Sequence, residues 1–482
     1  MSAGPLQWFN VATRFGCATP RSVSLCSISE NKAKAGIGTN EWMEDQMKKV
    51  LVLGSGMVAK PFVDEMLEQG HAVTCIDMDE ARAKELVGKH PKGKAVGLEI
   101  AKGEKLDAYI EAHDLVCSLL PPPFHPKIAK RCLNFKTNLV TTSYLSDDMK
   151  ALHKDAKKAG LIFLNETGLD PGLDHMAAMD LKGDVEEKGG TVVGFQSHCG
   201  GFPAPSAANN PIRYKFSWNP SGVLGALQRE SSFMVKEKVY EIPGEGMLSR
   251  SEPIYIPGEG IFETTPNGNG LFYAAKYGLK DCKTIRRGTL RYPGWARFWT
   301  FALKMGWLDR TETVEVKKAT PIQILNRLCP WSDKRDFIEF VFHKSPKQAS
   351  HILEVCHSLG FFDDKLTGTF SAFDIFLNQT QKYWVYGAKE VDKVILYNHF
   401  EVAVKGQHQT WTSVLAMEGD PKGDSAMSRL VGLPCAIAGL KILDGTIKVK
   451  GVHIPLQEEI FRPILKGLKA KGIVFDKRSD TK

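Results

Sequence analysis

Four groups of residues have types and spacing that chemistry can use. The first is Gly54-Ser55-Gly56-Met57-Val58-Ala59, with Asp77 placed 21 residues after Gly56. A glycine at 54 permits a tight turn, a glycine at 56 lets backbone approach a pyrophosphate, and the small Ala59 lets a helix lie close to a sheet. Free N–H groups at the start of that helix then face the phosphates. The second group is Asp170, Asp174 and His175 in the string Gly168-Leu169-Asp170-Pro171-Gly172-Leu173-Asp174-His175. Aspartates in such a turn also serve simply to cap backbone, and His175 also reads as a helix-start residue. The third is a pair of arginines among aromatics, Arg213 beside Tyr214 and Arg291 beside Tyr292. A guanidinium fork matches a carboxylate in two hydrogen bonds; the competing reading is a surface salt bridge. The fourth, His198-Cys199, reads as packing.

The first group needs a strand before it and a helix after it. Residues 50–53 form a short apolar run suited to a strand buried on both faces. Val58, Phe62, Val63, Met66 and Leu67 then recur at helical spacing, with Pro61 in the first turn, where its missing N–H costs little. Gly70 stops the helix, and residues 71–76 form a second strand that ends at Asp77. Further strands are predicted at 94–100, 115–120, 138–142 and 161–164, with helices between them, including 126–133 and 147–159. This alternation predicts a parallel sheet whose ligand edge carries Gly54-Ser55, Asp77, Leu119-Leu120-Pro121, Ser143-Tyr144 and residues 166–170. Asp77 sits where a carboxylate accepts both ribose hydroxyls and repels a 2′-phosphate, which favours NAD over NADP; Arg82 nearby pulls the other way.

At 482 residues the chain exceeds one ordinary domain. A hydrophobic content of 43% and a charged content of 24% describe a globular chain with substantial cores, and no apolar run approaches the length of a membrane helix. The net charge of +8 is spread and interleaved with acids rather than concentrated in a stripe, which argues against nucleic acid. Ten cysteines scattered from Cys17 to Cys435 read as reduced, buried thiols, and neither HExxH nor a Cys/His cluster points to a metal. Residues 1–29 hold no Asp or Glu, two arginines and seven Ser or Thr. That composition is expected of an organellar transit segment, so a mitochondrial address is set against a cytoplasmic one. Composition then shifts. Residues 1–46 read as a flexible or targeting segment, 47–170 as a dinucleotide-binding domain, 171–293 with 384–424 as a second domain, 294–383 as helical, and 425–482 as an apolar helix and tail.

Together these strings resemble the glutamate-forming saccharopine dehydrogenase family, and in particular the dehydrogenase half of its bifunctional members. Val52-Leu53-Gly54-Ser55-Gly56, Thr142-Ser143-Tyr144, the Gly168 to His175 string, Cys199-Gly200-Gly201, Asn210-Pro211-Ile212-Arg213-Tyr214-Lys215-Phe216-Ser217-Trp218, Arg287-Gly288-Thr289-Leu290-Arg291-Tyr292 and Ser425-Ala426-Met427 carry the likeness. It implies an α/β fold: a Rossmann domain completed by C-terminal chain, with a mixed α+β substrate domain and a helical insertion. It also implies oxidation of saccharopine by a nicotinamide cofactor, in the lysine–aminoadipate pathway, to glutamate and aminoadipate semialdehyde. By the same resemblance, Ser55, Gly56, Met57, Val58, Leu120, Ser217, Trp218, Asn219 and Pro220 contact the cofactor. Ser143, Tyr144, Arg213, Thr289, Leu290 and Arg291 meet the substrate, and Asp170 lies between the two as the catalytic candidate. The expected partners are small molecules only, with neither nucleic acid nor membrane, for a monomer or a homodimer.

One position departs from the family. Where its members place a substrate-binding arginine in Pro-Asn-Arg-Asp, this chain has Pro266-Asn267-Gly268-Asn269. Loss of a charged hydrogen-bonding partner costs a ligand roughly 1.5–3 kcal/mol. Two other readings therefore stand beside saccharopine oxidation: a related carboxyalkyl-polyamine dehydrogenase, and a non-enzymatic dinucleotide sensor. The group that moves the protons is left open among a carboxylate, an imidazole and a bound water.

Overall fold

A computed structural model describes residues 47–100, 103–331 and 336–481. The expectation of a targeting segment falls on residues outside the described ones.

The first sheet is parallel throughout. Its strands are β1 (Lys49–Leu53), β2 (Ala72–Asp77), β3 (Gly93–Gly97), β4 (Leu115–Ser118), β5 (Asn138–Val140) and β6 (Ile162–Leu164), in spatial order β6-β5-β4-β1-β2-β3. The order reverses between β1 and β4, so the crevice for a dinucleotide opens at the carboxyl ends of these two strands. The connecting helices are α1 (Lys60–Glu68), α2 (Glu80–Val87), α3 (Glu104–Glu111), α4 (His125–Asn134), α5 (Asp147–Ala151) and α6 (His153–Lys158). Helix α1 buries Phe62, Val63, Met66 and Leu67. Asp79 starts α2 by accepting the N–H groups of Ala81 and Arg82. The single helix expected over 147–159 is broken at Leu152.

Beyond α7 (Leu173–Glu187) the chain builds a mixed sheet of nine strands. These include β7 (Gly190–Pro203), then, after α8 (Pro220–Ala226), β8 (Ser231–Val235), β9 (Lys238–Ile242), β10 (Glu252–Ile256) and β11 (Gly260–Pro266). Helix α9 (Gly270–Tyr277) leads into β12 (Thr284–Arg291), which pairs in parallel with β7. Residues 294–383 were expected to be helical. They form α10 (Trp295–Lys304), α11 (Pro321–Leu328), α12 (Phe337–Lys344), α13 (Ala349–Ser358) and α14 (Ala372–Tyr383), but also an antiparallel pair, β13 (Thr313–Ala319) with β14 (Leu366–Ser371). An aromatic core holds this layer to the sheet; Trp299, Trp307, Trp384, Phe298, Phe361 and Phe376 are among its largest fully buried side chains.

The long antiparallel pair β15 (Asp392–Val404) and β16 (Gln407–Glu418) turns at Lys405-Gly406, both at positive φ, which matches the twist of the flanking strands. The chain then returns to the Rossmann layer through α15 (Ala426–Leu443), β17 (Gly451–His453) and α16 (Glu458–Ala470). Strand β17 extends the parallel sheet beside β6. Helix α15 has the length and hydropathy of a membrane span, but 72% of it is buried. A Cβ at Gly432 would lie 2.8 Å from the Val58 carbonyl oxygen, so the helix presses directly onto the cofactor loop. The tail departs from the expected return: β18 (Asp476–Thr481) pairs with β16 at the edge of the nine-stranded sheet. Lys477 ties it there to Asp180 and Asp184 of α7 at 2.5 and 2.6 Å. A charged edge strand of this kind discourages pairing with other chains.

Candidate functional site

At the carboxyl end of β1, Gly54 adopts φ +100° and packs against Leu119; a Cβ there would lie 3.2 Å from the Leu119 oxygen. Leu120 lines the same wall. Gly56 faces open space, with nothing within 4 Å of a built Cβ, and Met57 is exposed. No side chain caps the start of α1. A glycine ledge under uncapped helix N–H groups fits a pyrophosphate.

Asp77 is committed to the turn itself. Its Oδ2 accepts Ser55 N–H at 2.7 Å and Ser55 Oγ–H at 2.8 Å, and its Oδ1 accepts Asp79 N–H at 2.9 Å. Burial pushes this carboxyl up, but these three donors, with the nearby Arg82 guanidinium, outweigh it and hold the carboxyl below its usual range.

The next strand ends position Ser143, Tyr144 and Asp170. His125, buried at the start of α4, bridges Ser118 Oγ (2.9 Å) and Ser143 Oγ (2.8 Å) and so ties β4 to the Ser143 turn. Burial pushes this imidazole down to about 4, so it is neutral at pH 7. Tyr144 donates its hydroxyl to Asp170 Oδ1 at 3.0 Å. Asp170 Oδ1 also takes Arg287 Nη2 at 2.5 Å, while among the described residues its Oδ2 meets only Asn267 Nδ2, at 3.5 Å. The same Arg287 Nη2 reaches Asp174 Oδ2 at 2.7 Å, and Asp174 Oδ1 accepts Gly172 N–H at 2.6 Å. Asp174 is thus spent on its neighbours, whereas Asp170 keeps an oxygen at the rim.

Behind them His175 is fully buried. Its Nε2 lies 2.5 Å from Glu166 Oε2 and its Nδ1 lies 2.5 Å from the Tyr277 hydroxyl. Burial alone would lower this imidazole, but Asp174 and Glu166 outweigh it and hold it above its ordinary value. Glu166 and Tyr277 thus take one ring nitrogen each.

Period-two alternation puts Arg287, Thr289 and Arg291 on one face of β12. Leu290 faces away into the core at 0% exposure, so only its backbone is available to a ligand. Arg291 is buried, with its Cζ 4.9 Å from the Tyr214 ring centroid and 5.1 Å from that of Trp295. Its Nη1 donates to the Leu290 carbonyl at 2.7 Å, and its Nε–H has no hydrogen-bond partner among the described residues. Arg213, at φ +54°, stacks on Tyr292 at 3.9 Å, so the two Arg-Tyr strings exchange guanidinium and ring.

Of the cofactor candidates on the second domain, Asn219 and Pro220 begin α8, where Asn219 Oδ1 accepts Gly222 N–H. Ser217 is buried with an unpartnered Oγ, and Trp218 packs between the two main cores. Gly268 turns at φ +59° beside Asn267, and Arg229 Cδ lies 4.0 Å from a Cβ built on it. His198 sits in the sheet with Nδ1 2.9 Å from Thr264 Oγ1, and burial pushes it down to about 3. Arg287, Glu166, His125 and Asn267 had not been assigned from sequence. Arg287 had a signal, since it lies in step with Arg291 on one strand face. His125 had none. Among the described residues no group of three His, Cys, Asp or Glu side chains is placed to hold a metal.

Comparison with known proteins gives this arrangement its context. Residues 50–164 match the model of the saccharopine dehydrogenase NADP binding domain, and residues 168–473 match that of the saccharopine dehydrogenase C-terminal domain. The chain is 35% identical over 436 residues to a Pyricularia oryzae protein named saccharopine dehydrogenase [NADP(+), L-glutamate-forming], covering 88% of this chain and 97% of that one. It is 36% identical over 447 residues to the mouse mitochondrial alpha-aminoadipic semialdehyde synthase, covering 90% of this chain but 48% of that one. It thus spans about half the length of the mammalian relatives it matches. Its fold is similar to that of the apo glutamate-forming saccharopine dehydrogenase of Saccharomyces cerevisiae, with a TM-score of 0.78, 33% identity, and coverage of 90% of this chain and 99% of that one.

These matches correct the expectation of NAD over NADP. The matched domain is described as NADP-binding, and the Pyricularia, Schizosaccharomyces pombe and Saccharomyces cerevisiae relatives are all named for NADP(+). The physical reason is in the turn: the Asp77 carboxylate is satisfied by Ser55 and Asp79, with Arg82 beside it, rather than projecting freely toward a ribose. With both of its domains matched in order, the chain belongs to the saccharopine dehydrogenase family.

Proposed function

We propose that the protein oxidises the secondary amine of L-saccharopine with NADP and water, giving L-glutamate and 2-aminoadipate 6-semialdehyde. One observation carries the reading: a single strand face holds two buried guanidinium groups in opposite situations. Arg287 is bound to the carboxylate of Asp170, and Arg291 has no carboxylate partner among the described residues. Four residues of strand separate them by about 13 Å. A substrate with a cationic nitrogen and remote carboxylates fits that spacing, its nitrogen at Asp170 and a carboxylate at Arg291.

Ser55, Gly56 and the α1 N-terminus would hold the dinucleotide pyrophosphate. A bound nicotinamide supplies the hydride acceptor. Asp170 Oδ2 holds the nitrogen from which a proton must leave, and Tyr144, hydrogen-bonded to the same carboxylate, orients it. Burial of the Tyr144 hydroxyl beside Asp170 keeps it protonated at neutral pH. Arg291 and Arg213 fix carboxylates, Thr289 lies between Arg291 and Arg287, and Ser143 is aimed by His125. The test is direct: purified protein, NADP and saccharopine should give NADPH and glutamate in equal amounts. Reduction of NADP with carboxyalkyl-polyamines but not with saccharopine would overturn the substrate. A mitochondrial address is part of the proposal, supported by the names of the mammalian relatives. A reporter fused behind residues 1–46 that stayed in the cytosol would overturn it.

A further inference from the structure

Arg287 is the most heavily committed cation in the cleft, and no family expectation placed it there. Its side chain is 4% exposed, and one nitrogen, Nη2, serves two carboxylates: Asp170 Oδ1 at 2.5 Å and Asp174 Oδ2 at 2.7 Å. The guanidinium lies 4.1 Å from the Tyr273 ring centroid, and Tyr273 in turn stacks on His175 at 5.3 Å. Rings and carboxylates therefore hold it on several sides, with Nη2 committed to the two aspartates.

The charges do not balance locally. Two carboxylates face one guanidinium, a surplus of one negative charge. Behind them His175 lies 2.5 Å from Glu166 Oε2 and 3.9 Å from Asp174 Oδ1, so that imidazole brings a carboxylate of its own. Asp174 is closed off from the cleft: each oxygen already takes a donor, Gly172 N–H or Arg287, and its side chain is 1% exposed. The surplus therefore faces the cleft at Asp170, whose side chain is 14% exposed. On that carboxylate Oδ1 is held twice, by Arg287 and by Tyr144, and Oδ2 has only the long contact from Asn267.

We propose that Arg287 is a positioning residue for amine oxidation: by fixing Oδ1 of Asp170 it makes Oδ2 the oxygen that receives the cationic nitrogen of the substrate. A carboxylate held at one oxygen by a planar, always-charged donor cannot rotate, so the nitrogen is oriented as well as attracted. The claim rests on the proposed amine-oxidising activity and deepens it. It assigns the direction of approach to the side of Asp170 that faces Asn267 and the Gly268 turn.

The test uses full-length wild type, Arg287→Lys and Arg287→Met, with glutarate as a probe that has carboxylates and no amine. Arg287→Met should lower kcat for saccharopine at least 30-fold. The glutarate inhibition constant and the NADPH dissociation constant should stay within threefold of wild type. Arg287→Lys, which keeps the charge on a shorter and more flexible stem, should recover part of the loss. Crystals of Arg287→Lys should show the Asp170 carboxylate rotated or in two conformers; this readout needs no turnover and covers the case in which Arg287→Met fails to fold. Two results would overturn the proposal: kcat/KM within threefold of wild type in Arg287→Met, or an unmoved Asp170 carboxylate in the Arg287→Lys structure. An equal loss of saccharopine, glutarate and NADPH binding would also overturn it, because a purely architectural arginine behaves that way. A wild type that turns over no saccharopine sinks the proposed function instead, and the Asp170 geometry in the Lys variant still decides the role of Arg287.

Discussion

Replacing Arg291 with methionine should separate binding from stability. The guanidinium is 7% exposed, makes one hydrogen bond to its neighbour's carbonyl and has an unpartnered Nε–H, with two aromatic rings as its surroundings. A buried ion without a counter-ion costs the fold several kcal/mol. The Tyr214 and Trp295 faces return roughly 1–2 kcal/mol of that. Methionine fills most of the volume with no charge to desolvate, so the apo-protein should be as stable as wild type or more stable by about 1–4 kcal/mol. The substrate carboxylate, by contrast, loses two charge-assisted hydrogen bonds at about 1.5 kcal/mol each or more. Together they are worth about 3 kcal/mol, or roughly a 100-fold rise in KM for saccharopine. The assay pairs steady-state kinetics with chemical denaturation and an NADPH titration, in which the dissociation constant should stay within threefold. A KM within threefold of wild type would refute the carboxylate role. A fold weakened by more than about 3 kcal/mol would show instead that the aromatic box needs the cation.

Four further outcomes follow from the geometry. Asp77→Ala removes the acceptor of three hydrogen bonds that set the Gly54–Gly56 turn, so NADPH affinity should fall about tenfold and the unfolding free energy by about 1–3 kcal/mol; unchanged NADPH binding by fluorescence titration would mean the turn holds without it. His125, ordinarily near 6.5 and pushed down to about 4, is a group whose protonation opposes folding: stability is full above pH 6.5 and declines as pH falls toward 4, by an amount on the order of 3 kcal/mol, and His125→Gln should flatten that acid limb in denaturation curves. His175 has the opposite sign, because its value in the fold is raised: its contribution is full below pH 6.5 and is lost as pH climbs through the raised value, so His175→Gln should abolish that alkaline limb. At Gly268 a Cβ meets only Arg229 Cδ, at 4.0 Å, among the described residues, but the residue must adopt φ +59°, so Gly268→Arg should fold with a loss of about 1 kcal/mol and lower KM for saccharopine; a folded, NADPH-binding variant without activity would reopen the choice of substrate.

Much of the Rossmann half was legible because its signals are local. The buried run Val50 to Leu53, the glycine turn and the helix stripe of Phe62, Met66 and Leu67 each specify an element within a few residues. The joining of distant segments was not legible in the same way. Nothing in the residues of β17 says that they pair with β6, almost 300 positions earlier, and the charged run of β18 reads as a tail until Lys477 is seen between Asp180 and Asp184. The β13–β14 pair was hidden for a related reason: its strands alternate weakly and are separated by three helices.

The site divides along the same line. The sequence put a tyrosine and an aspartate at strand ends and offered arginines among aromatics, but the work a side chain has left to do depends on which of its lone pairs and N–H groups are already used. Asp170 and Asp174 look alike in the string Gly168 to His175, yet Asp174 has both oxygens occupied and Asp170 has one to offer. Arg287 and Arg291 share a strand face, yet one pairs with two carboxylates and the other has none among the described residues. Asp77 carries the same lesson into the cofactor reading. Its position after β2 is that of a ribose acceptor, but Ser55, whose backbone and hydroxyl both donate to it, binds the carboxylate into the turn. A carboxylate oriented in that way no longer guards against a 2′-phosphate as a free one does, and the Arg82 charge stands close by. Cofactor choice is therefore set by the direction in which a hydrogen-bonded group points, and direction comes from the fold.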